Sequence, residues 1–441
     1  MQTSGLRADI RTVITLAVPV VVENMLHTML GTVDTYFAGQ IHDSAIAAIG
    51  VTNLFVNILV AFFTAVSVGT TAVIARSIGR QDVAHANVAA RQSVFLGIAL
   101  GGGLGLLACL FCTPILRLTG AEPDVLEYAV PYFLIVVGPS VLLCLSQILS
   151  SCLRASKDTL SPMLANGFSN LLNIVLNALF IHMGLGIFGL GLATTLSRLV
   201  TLLLLTYRLS HGKSGLRLDR TGWQLDLPTL RSITRIGIPA GMERLFMRTG
   251  QFVYSGVILS LGTASYVAHN IGASIDNYAF IVAFGFSIAA STMVGVSLGE
   301  NDPAAARRLT ALAYWISAAC VTLVGAVYFF GAPYLAAIFS DTPEVQQLVV
   351  SVLRLSALFQ PLSALNHVMS GALQGAGDTK FPMYTTLLGI WVFRVGVGSL
   401  LAVPFGMGLW GFWMGCCMDN SLRGILLLIR FLRGGWQNIK I

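Results

Sequence analysis

An apolar stretch near the N-terminus carries Glu23, His27 and Asp34, spaced four and seven residues apart. At about 100° per residue an α-helix brings all three within roughly 40° of one another, so they form one stripe. Farther on, Asn166, Asn170, Asn173 and Asn177 recur every three or four residues and also share a face. If the surroundings are lipid, ionisable side chains are costly and mark ion paths, cargo contacts or paired charges. Amides in the same setting serve equally as hydrogen-bond glue between helices. Asp34, expected near mid-membrane, is the sharpest candidate. A carboxylate held in a low dielectric resists ionisation, which lets a proton gradient load and unload it. His27 can share in that or can be a hydrogen-bonded helix contact. Pro19 precedes the stripe, and its missing N–H and steric clash allow the helix to bend there.

These readings depend on the solvent, and composition decides it. Hydrophobic residues make up 55% of the 441 and charged residues only 10%, against about 25% charged in a soluble domain. Apolar stretches long enough to cross a hydrocarbon core about 30 Å thick recur from end to end. They lack the period-2 alternation of a membrane barrel and must satisfy their backbone internally, so helices are expected. Twelve are placed near 12–38, 44–76, 92–116, 128–152, 161–183, 187–209, 232–260, 264–298, 309–336, 345–370, 381–404 and 408–433.

The net charge of +7 would suit a nucleic-acid binder were it not confined to alternate loops. Arg7, Arg11, Arg76, Arg80, Arg91, Arg154, Lys157, Lys213, Arg217, Arg220, Arg231, Arg307, Arg308, Lys380, Arg430, Arg433 and Lys440 fall at one set of connections and at the termini. The opposite set holds only Arg117. The positive-inside rule places both termini in the cytoplasm of a multi-pass cell-membrane protein, the inner membrane in a two-membrane cell, and removes nucleic acid as a partner. The basic, then apolar, start reads as a retained first helix. The seven cysteines form no disulfide framework, and Cys109 with Cys112 reads as packing within an apolar run. HExxH, GxSxG and P-loop patterns are missing, so an enzyme, a metal site and a bound cofactor are not expected.

The chain also repeats itself. "LRASKDTLSPM" at 153–163 matches "LQGAGDTKFPM" at 373–383, an offset of 220 residues. The same offset joins Pro19 to Pro239, Glu23 to Glu243, Ser67 to Ser287 and "SIGRQD" to "SLGEND". Six helices per half make a parallel repeat, with lobes at 1–210 and 232–441 joined by a basic cytoplasmic linker at 211–231. The fold class is therefore an all-α polytopic membrane protein with twelve spans in two pseudo-symmetric six-helix bundles. The halves differ where chemistry is expected. Tyr254 stands opposite Asp34, Gln251 lies on the same face, and Asp276 sits near the middle of helix 8. Tyr254, Gln251 and Asp276 join Glu23, His27 and Asn170 as candidates for substrate or ion contact. Glu243 with neighbouring Arg244 or Arg248 reads as a structural ion pair.

At "PVVVENMLHTMLGTVDTYFAGQ", "SIGRQD", "SLGEND", "LRASKDT", "LQGAGDT" and "NIVLNALFIHMGLGIFGLGLATTLSR" the chain resembles the multidrug and toxic compound extrusion (MATE) family. The resemblance covers essentially the whole sequence and is similar to the DinF-like and archaeal branch. It implies two bundles around a cleft and antiport of organic compounds against protons or sodium. It also implies a helix-1 Asp working with an Asn-x-x-x-Asp pair and a Thr below a bending proline. Those roles fall on Asp34, Asn173, Asn177, Thr195 and Pro19. Asn177 departs from the pattern, being an amide in place of a carboxylate, which implies one proton site. Ser363 stands where the sodium-coupled branch carries an Asp.

The expected function is export of small, often cationic and amphipathic, organic compounds by proton-coupled alternating access, by a monomer whose other partners are membrane lipids. Sodium coupling is one alternative. A flippase for a lipid-linked or anionic precursor, its cavity lined by Arg198, Arg244, Arg248 and Arg394, is the other.

Overall fold

The computed structural model describes residues 2–119, 122–211, 215–218 and 223–439, with side chains from Gly5 onward. Parts of the expected linker, with Lys213 and Arg220, and Lys440 at the C-terminus lie outside the described residues. The chain forms α1 (Gln2–Gly39), α2 (Asp43–Gly79), α3 (Val83–Leu110), α4 (Cys112–Leu118), α5 (Pro123–Val137), α6 (Ser140–Ala155), α7 (Leu160–His182) and α8 (Gly186–Ser210). After them come α9 (Leu227–Ser260), α10 (Thr263–Gly299), α11 (Pro303–Phe339), α12 (Pro343–Gly375), α13 (Lys380–Leu388), a π-helical stretch (Gly389–Val397), α14 (Gly398–Ala402) and α15 (Gly408–Leu432). Among the described residues there is no strand.

Ten of these helical segments are long and apolar enough to cross a bilayer, with α13, the π-helical stretch and α14 acting as one, and the α5/α6 pair makes an eleventh. The twelfth crossing is α9, whose Arg231, Arg235, Glu243, Arg244 and Arg248 lower its hydropathy without shortening it. The expected fourth helix is two pieces bent by 43°, because Pro139 at the join cannot donate to the carbonyl one turn back. The expected third helix divides likewise at Phe111, between α3 and α4.

The repeat is visible in local chemistry. Asp82 and Asp302 each accept a hydrogen bond at 2.9 Å from the backbone N–H three residues on, capping α3 and α11. The residues before them, Gln81 and Asn301, both take left-handed backbone with φ of 61° and 58°. Lys157 (φ 67°) and Gly377 (φ 86°) form a second such pair after α6 and α12.

The fold has two compact units, Val22–Gly241 and Met1–Val21 with Met242–Ile441. The boundaries of these units lie within α1 and α9, whereas the sequence repeat divides at the linker. In the first unit, α2 packs on α3, α5 and α6, and α8 packs on α5, α6 and α7. The opening turns of α9 belong here, with Gly237 and Gly241 so close to Ala65 that a Cβ on either would collide with it. In the second unit α10 is central: 78% of its apolar window is buried, against 22–44% in the other spans. Val13, Leu16 and Ala17 of α1 join its core beside Phe286, Ala289 and Ala290. Gly371 and Gly375 of α12 sit against Ser287 and Ser291 of α10, a small-xxx-small contact that lets the two backbones approach.

Candidate functional site

In the first unit the asparagine face of α7 meets the polar stripe of α1. The Asn177 side-chain amide donates to Asp34 Oδ1 at 2.7 Å and to Asn173 Oδ1 at 2.9 Å. Asn173 in turn donates to the Thr194 hydroxyl at 3.4 Å, and that hydroxyl donates to the Leu190 carbonyl. Asn173 and Asn177 are fully buried. The result is a continuous relay from a carboxylate through two amides to a hydroxyl on α8. Protonation of Asp34 turns a charge-assisted hydrogen bond into a weaker neutral one, and the amides along the relay can rotate in response.

The structure changes the expected set in two respects. Thr195 is not in the relay: its hydroxyl donates to the Ile135 carbonyl at 2.7 Å. One residue is about 100° of helix rotation, so Thr194 faces α7 while Thr195 faces α5. Asp34 also lies away from the centre of its helix. It stands five residues, about 7.5 Å of rise, from the end of α1 at Gly39. Asn177 is likewise five residues from the end of α7 at His182.

The other stripe residues take separate roles. Glu23 forms an ion pair with Arg154 at 3.1 Å and accepts from Asn166 at 2.8 Å. The four asparagines therefore divide, Asn166 serving Glu23 while Asn173 and Asn177 serve Asp34. Between them, the buried Asn170 Nδ2 has no hydrogen-bond partner among the described residues. His27 is exposed and makes no hydrogen bond among the described residues. Arg198 donates to the Val136 carbonyl at 2.9 Å. Pro19 lies inside α1 without ending it.

The second unit holds the counterpart of the Glu23 cluster. Glu243 accepts from Gln374 Nε2 and from the Thr386 hydroxyl, each at 3.1 Å. Residues 374 and 386 are 154 and 166 shifted by 220, the repeat offset, so one geometry serves both lobes with different side chains. The expected pairing of Glu243 with Arg244 or Arg248 is thereby replaced. The Arg244 guanidinium lies over the Phe284 ring at 5.1 Å, and Arg248 donates to Gln251 at 3.0 Å. Consecutive helix positions diverge too far for Arg244 to share the face of Glu243.

Where Asp34 stands in the first unit, the second has aromatic packing. Tyr254 is buried 5.3 Å from Phe412 and 6.0 Å from His269, whose ring accepts from Trp413 Nε1 at 3.2 Å. Asp276, on α10, accepts from the Ser356 hydroxyl at 2.6 Å and from Gln360 Nε2 at 2.8 Å. A further cluster escaped the sequence reading. Asp419, fully buried on α15, pairs with Arg394 at 2.8 Å and with Arg423 at 3.3 Å. Arg423 also donates to Thr386, linking this cluster to Glu243. The four-residue spacing of Asp419 and Arg423 was the available signal. Gly389, in the π-helical stretch, leaves the room that Asp419 occupies. Among the described residues no group of three or more His, Cys, Asp or Glu side chains is arranged to hold a metal ion.

Two related helical lobes with buried carboxylates linked to amides define a polytopic α-helical membrane protein with polar clusters inside each lobe. The MatE family profile matches residues 19–179 and 239–400, one segment in each half. The chain belongs to this family. It is 30% identical to a protein described as "Probable multidrug resistance protein NorM" from Thermotoga maritima, over 96% of this chain and 92% of that one. It is 26% identical to "Multidrug resistance protein MdtK" of Yersinia enterocolitica, over 96% and 95%. Among solved structures, a MATE protein in a bent conformation superposes with a TM-score of 0.90 at 24% identity, covering 96% of this chain and 94% of that one. A MOP superfamily transporter from Pyrococcus furiosus superposes with a TM-score of 0.91 at 23% identity, covering 98% and 97%.

Proposed function

We propose that this chain is a secondary exporter that moves small organic compounds, often cationic and amphipathic, out of the cell in exchange for protons. The observation that carries the reading is the relay Asp34, Asn177, Asn173, Thr194, with a single carboxylate at its head. The names of the NorM and MdtK relatives support the substrate class. Asp34 takes a proton from the non-cytoplasmic side, close to the end of α1 where it stands. Its bond with Asn177 weakens, α1 bends near Pro19, and cargo leaves the first lobe. One proton moving down about 100 mV contributes about 2.3 kcal/mol, and a pH difference of one unit adds about 1.4. Together these sustain roughly a few-hundred-fold gradient of a neutral cargo.

The same reading makes the chain a multi-pass protein of the cell membrane with both termini in the cytoplasm, on the strength of its basic loops, and it requires no second copy to complete the relay. A cysteine introduced at Ser214, outside the described residues, in a cysteine-free background should resist labelling from outside intact cells. An anionic cargo has less support than the sequence suggested, because Arg394 is neutralised by Asp419 and Arg198 bonds to the backbone at Val136. The deciding experiment is transport into vesicles under an imposed proton gradient and then an imposed sodium gradient. Transport driven by sodium alone would overturn the coupling assignment.

A further inference from the structure

Pro333 lies inside α11 and cannot donate to the carbonyl four residues back, which belongs to Phe329. That carbonyl is taken up from the neighbouring helix. Arg354 of α12 donates to it through Nε at 3.3 Å, and its guanidinium lies over the Phe329 ring at 5.7 Å. The pairing explains the presence of an arginine here but uses only one of its five N–H donors. Arg354 is exposed and, among the described residues, forms no ion pair. Glu344, on the same helix, is ten residues away, about 15 Å of rise.

The unused donors border a cavity of about 370 Å³ lined by Pro333, Gln346, Gln347, Val350, Ser351 and Arg354. All four other α12 residues of the lining precede Arg354 by three to eight positions. Helical side chains lean toward the N-terminus of their helix, so Arg354 reaches over them toward the start of α12. The adjoining face of α11 is built for lipid, with Phe330, Tyr334 and Ile338 exposed at 77%, 78% and 75%.

Depth selects the ligand. The 33 residues of α12 span about 50 Å, some 10 Å more at each end than a 30 Å hydrocarbon core. Arg354 is eleven residues, about 16 Å, from the first residue of α12 at Pro343. With α12 centred across the core, the Arg354 backbone sits about 6 Å below the core boundary, within reach of the headgroup level for its extended side chain. A guanidinium without an ion pair there attracts a counter-anion, and a phosphodiester matches its planar fork with two acceptor oxygens.

We propose that this groove between α11 and α12 is a binding site for the phosphate of an anionic phospholipid, with Arg354 as its anchor and Gln347 and Ser351 along its wall. In the orientation proposed above, the lipid belongs to the outer leaflet; the site itself does not depend on the coupling ion. The bound lipid neutralises Arg354 while Arg354 satisfies the Phe329 carbonyl that Pro333 cannot reach as a donor.

The test compares phosphatidylglycerol with phosphatidylcholine on the purified full-length chain, by native mass spectrometry of retained lipid. The wild type should retain one phosphatidylglycerol with a preference of roughly tenfold or more over phosphatidylcholine. Arg354→Gln should bring that preference near unity. Because that variant also leaves the Phe329 carbonyl unpaired, Pro333→Ala, which restores the backbone donor, supplies a second background. Pro333→Ala should keep the preference and Pro333→Ala/Arg354→Gln should lose it. A preference that survives Arg354→Gln in both backgrounds, or that the wild type lacks, overturns the proposal. So does equal displacement of the lipid by millimolar inorganic phosphate, which would make the groove a site for free anions.

Discussion

Replacing Asp34 by asparagine separates the chemistry of the relay from its shape. The substituted side chain keeps an oxygen where Asp34 Oδ1 accepts from Asn177 at 2.7 Å, so the geometry can persist. What is lost is the charge assistance of one hydrogen bond, about 1 kcal/mol, and the capacity to bind and release a proton. The folded protein should therefore survive with a small loss of stability. The roughly 3.7 kcal/mol that one proton supplies across about 100 mV and one pH unit becomes inaccessible. Accumulation should fall from a few-hundred-fold to the ratio set by leakage. The assay is uptake of a fluorescent organic compound that is uncharged at the assay pH into inside-out proteoliposomes with a proton gradient and a membrane potential imposed, alongside a binding measurement on the same preparation. Binding retained with accumulation abolished is the expected result. Asn177→Asp extends the argument: a second carboxylate within hydrogen-bond distance cannot ionise independently, so the transport profile should show two titration steps. Wild-type accumulation by Asp34→Asn would refute the mechanism and return sodium coupling to first place.

Other substitutions probe the same framework. Thr194→Val should reduce gradient-driven transport severalfold with the fold intact, whereas Thr195→Val should cost about 1 kcal/mol of stability without changing proton dependence; the reverse outcome would restore Thr195 to the relay. Glu243→Gln weakens two hydrogen bonds to a charged acceptor and should lower stability by about 1–3 kcal/mol in thermal denaturation. An altered ion dependence at unchanged stability would instead move coupling to the second lobe. Asp419→Asn leaves Arg394 and Arg423 without their buried counter-charge and should cost roughly 3–5 kcal/mol, read as loss of folded protein after solubilisation. Lys157→Gly relieves left-handed backbone at a position where the repeat already has Gly377, and should raise the unfolding midpoint, with a gain of up to about 1 kcal/mol.

Much of the architecture was legible in the sequence because lipid imposes a simple rule on it. Backbone groups without water must bond within their own segment, so each long apolar run had to be a helix, and α9 was recognisable despite its five charges because of its length. The offset of 220 was legible for a similar reason. The caps at Asp82 and Asp302 and the left-handed residues before them depend on local backbone geometry alone, and so survive in sequence. Periodicity also gave the face shared by Asn173 and Asn177, and the family resemblance implied its match to Asp34.

Partners between helices were decided only in three dimensions. Thr194 and Thr195 are adjacent, and nothing in their order tells which faces α7; the rotation of α8 against α5 and α7 settles it. The sequence offered Glu243 its nearest cations, yet Gln374 and Thr386 hold it, from positions more than a hundred residues away. Asp419 and Arg423 share a helix face by their spacing, but the second guanidinium partner, Arg394, approaches Asp419 only because the π-helical stretch brings a glycine against α15. Spacing along one helix fixes which residues share a face, since that follows from 3.6 residues per turn. Which other face it meets depends on how neighbouring helices rotate and shift to pack, a property of the assembled lobe that no single segment encodes.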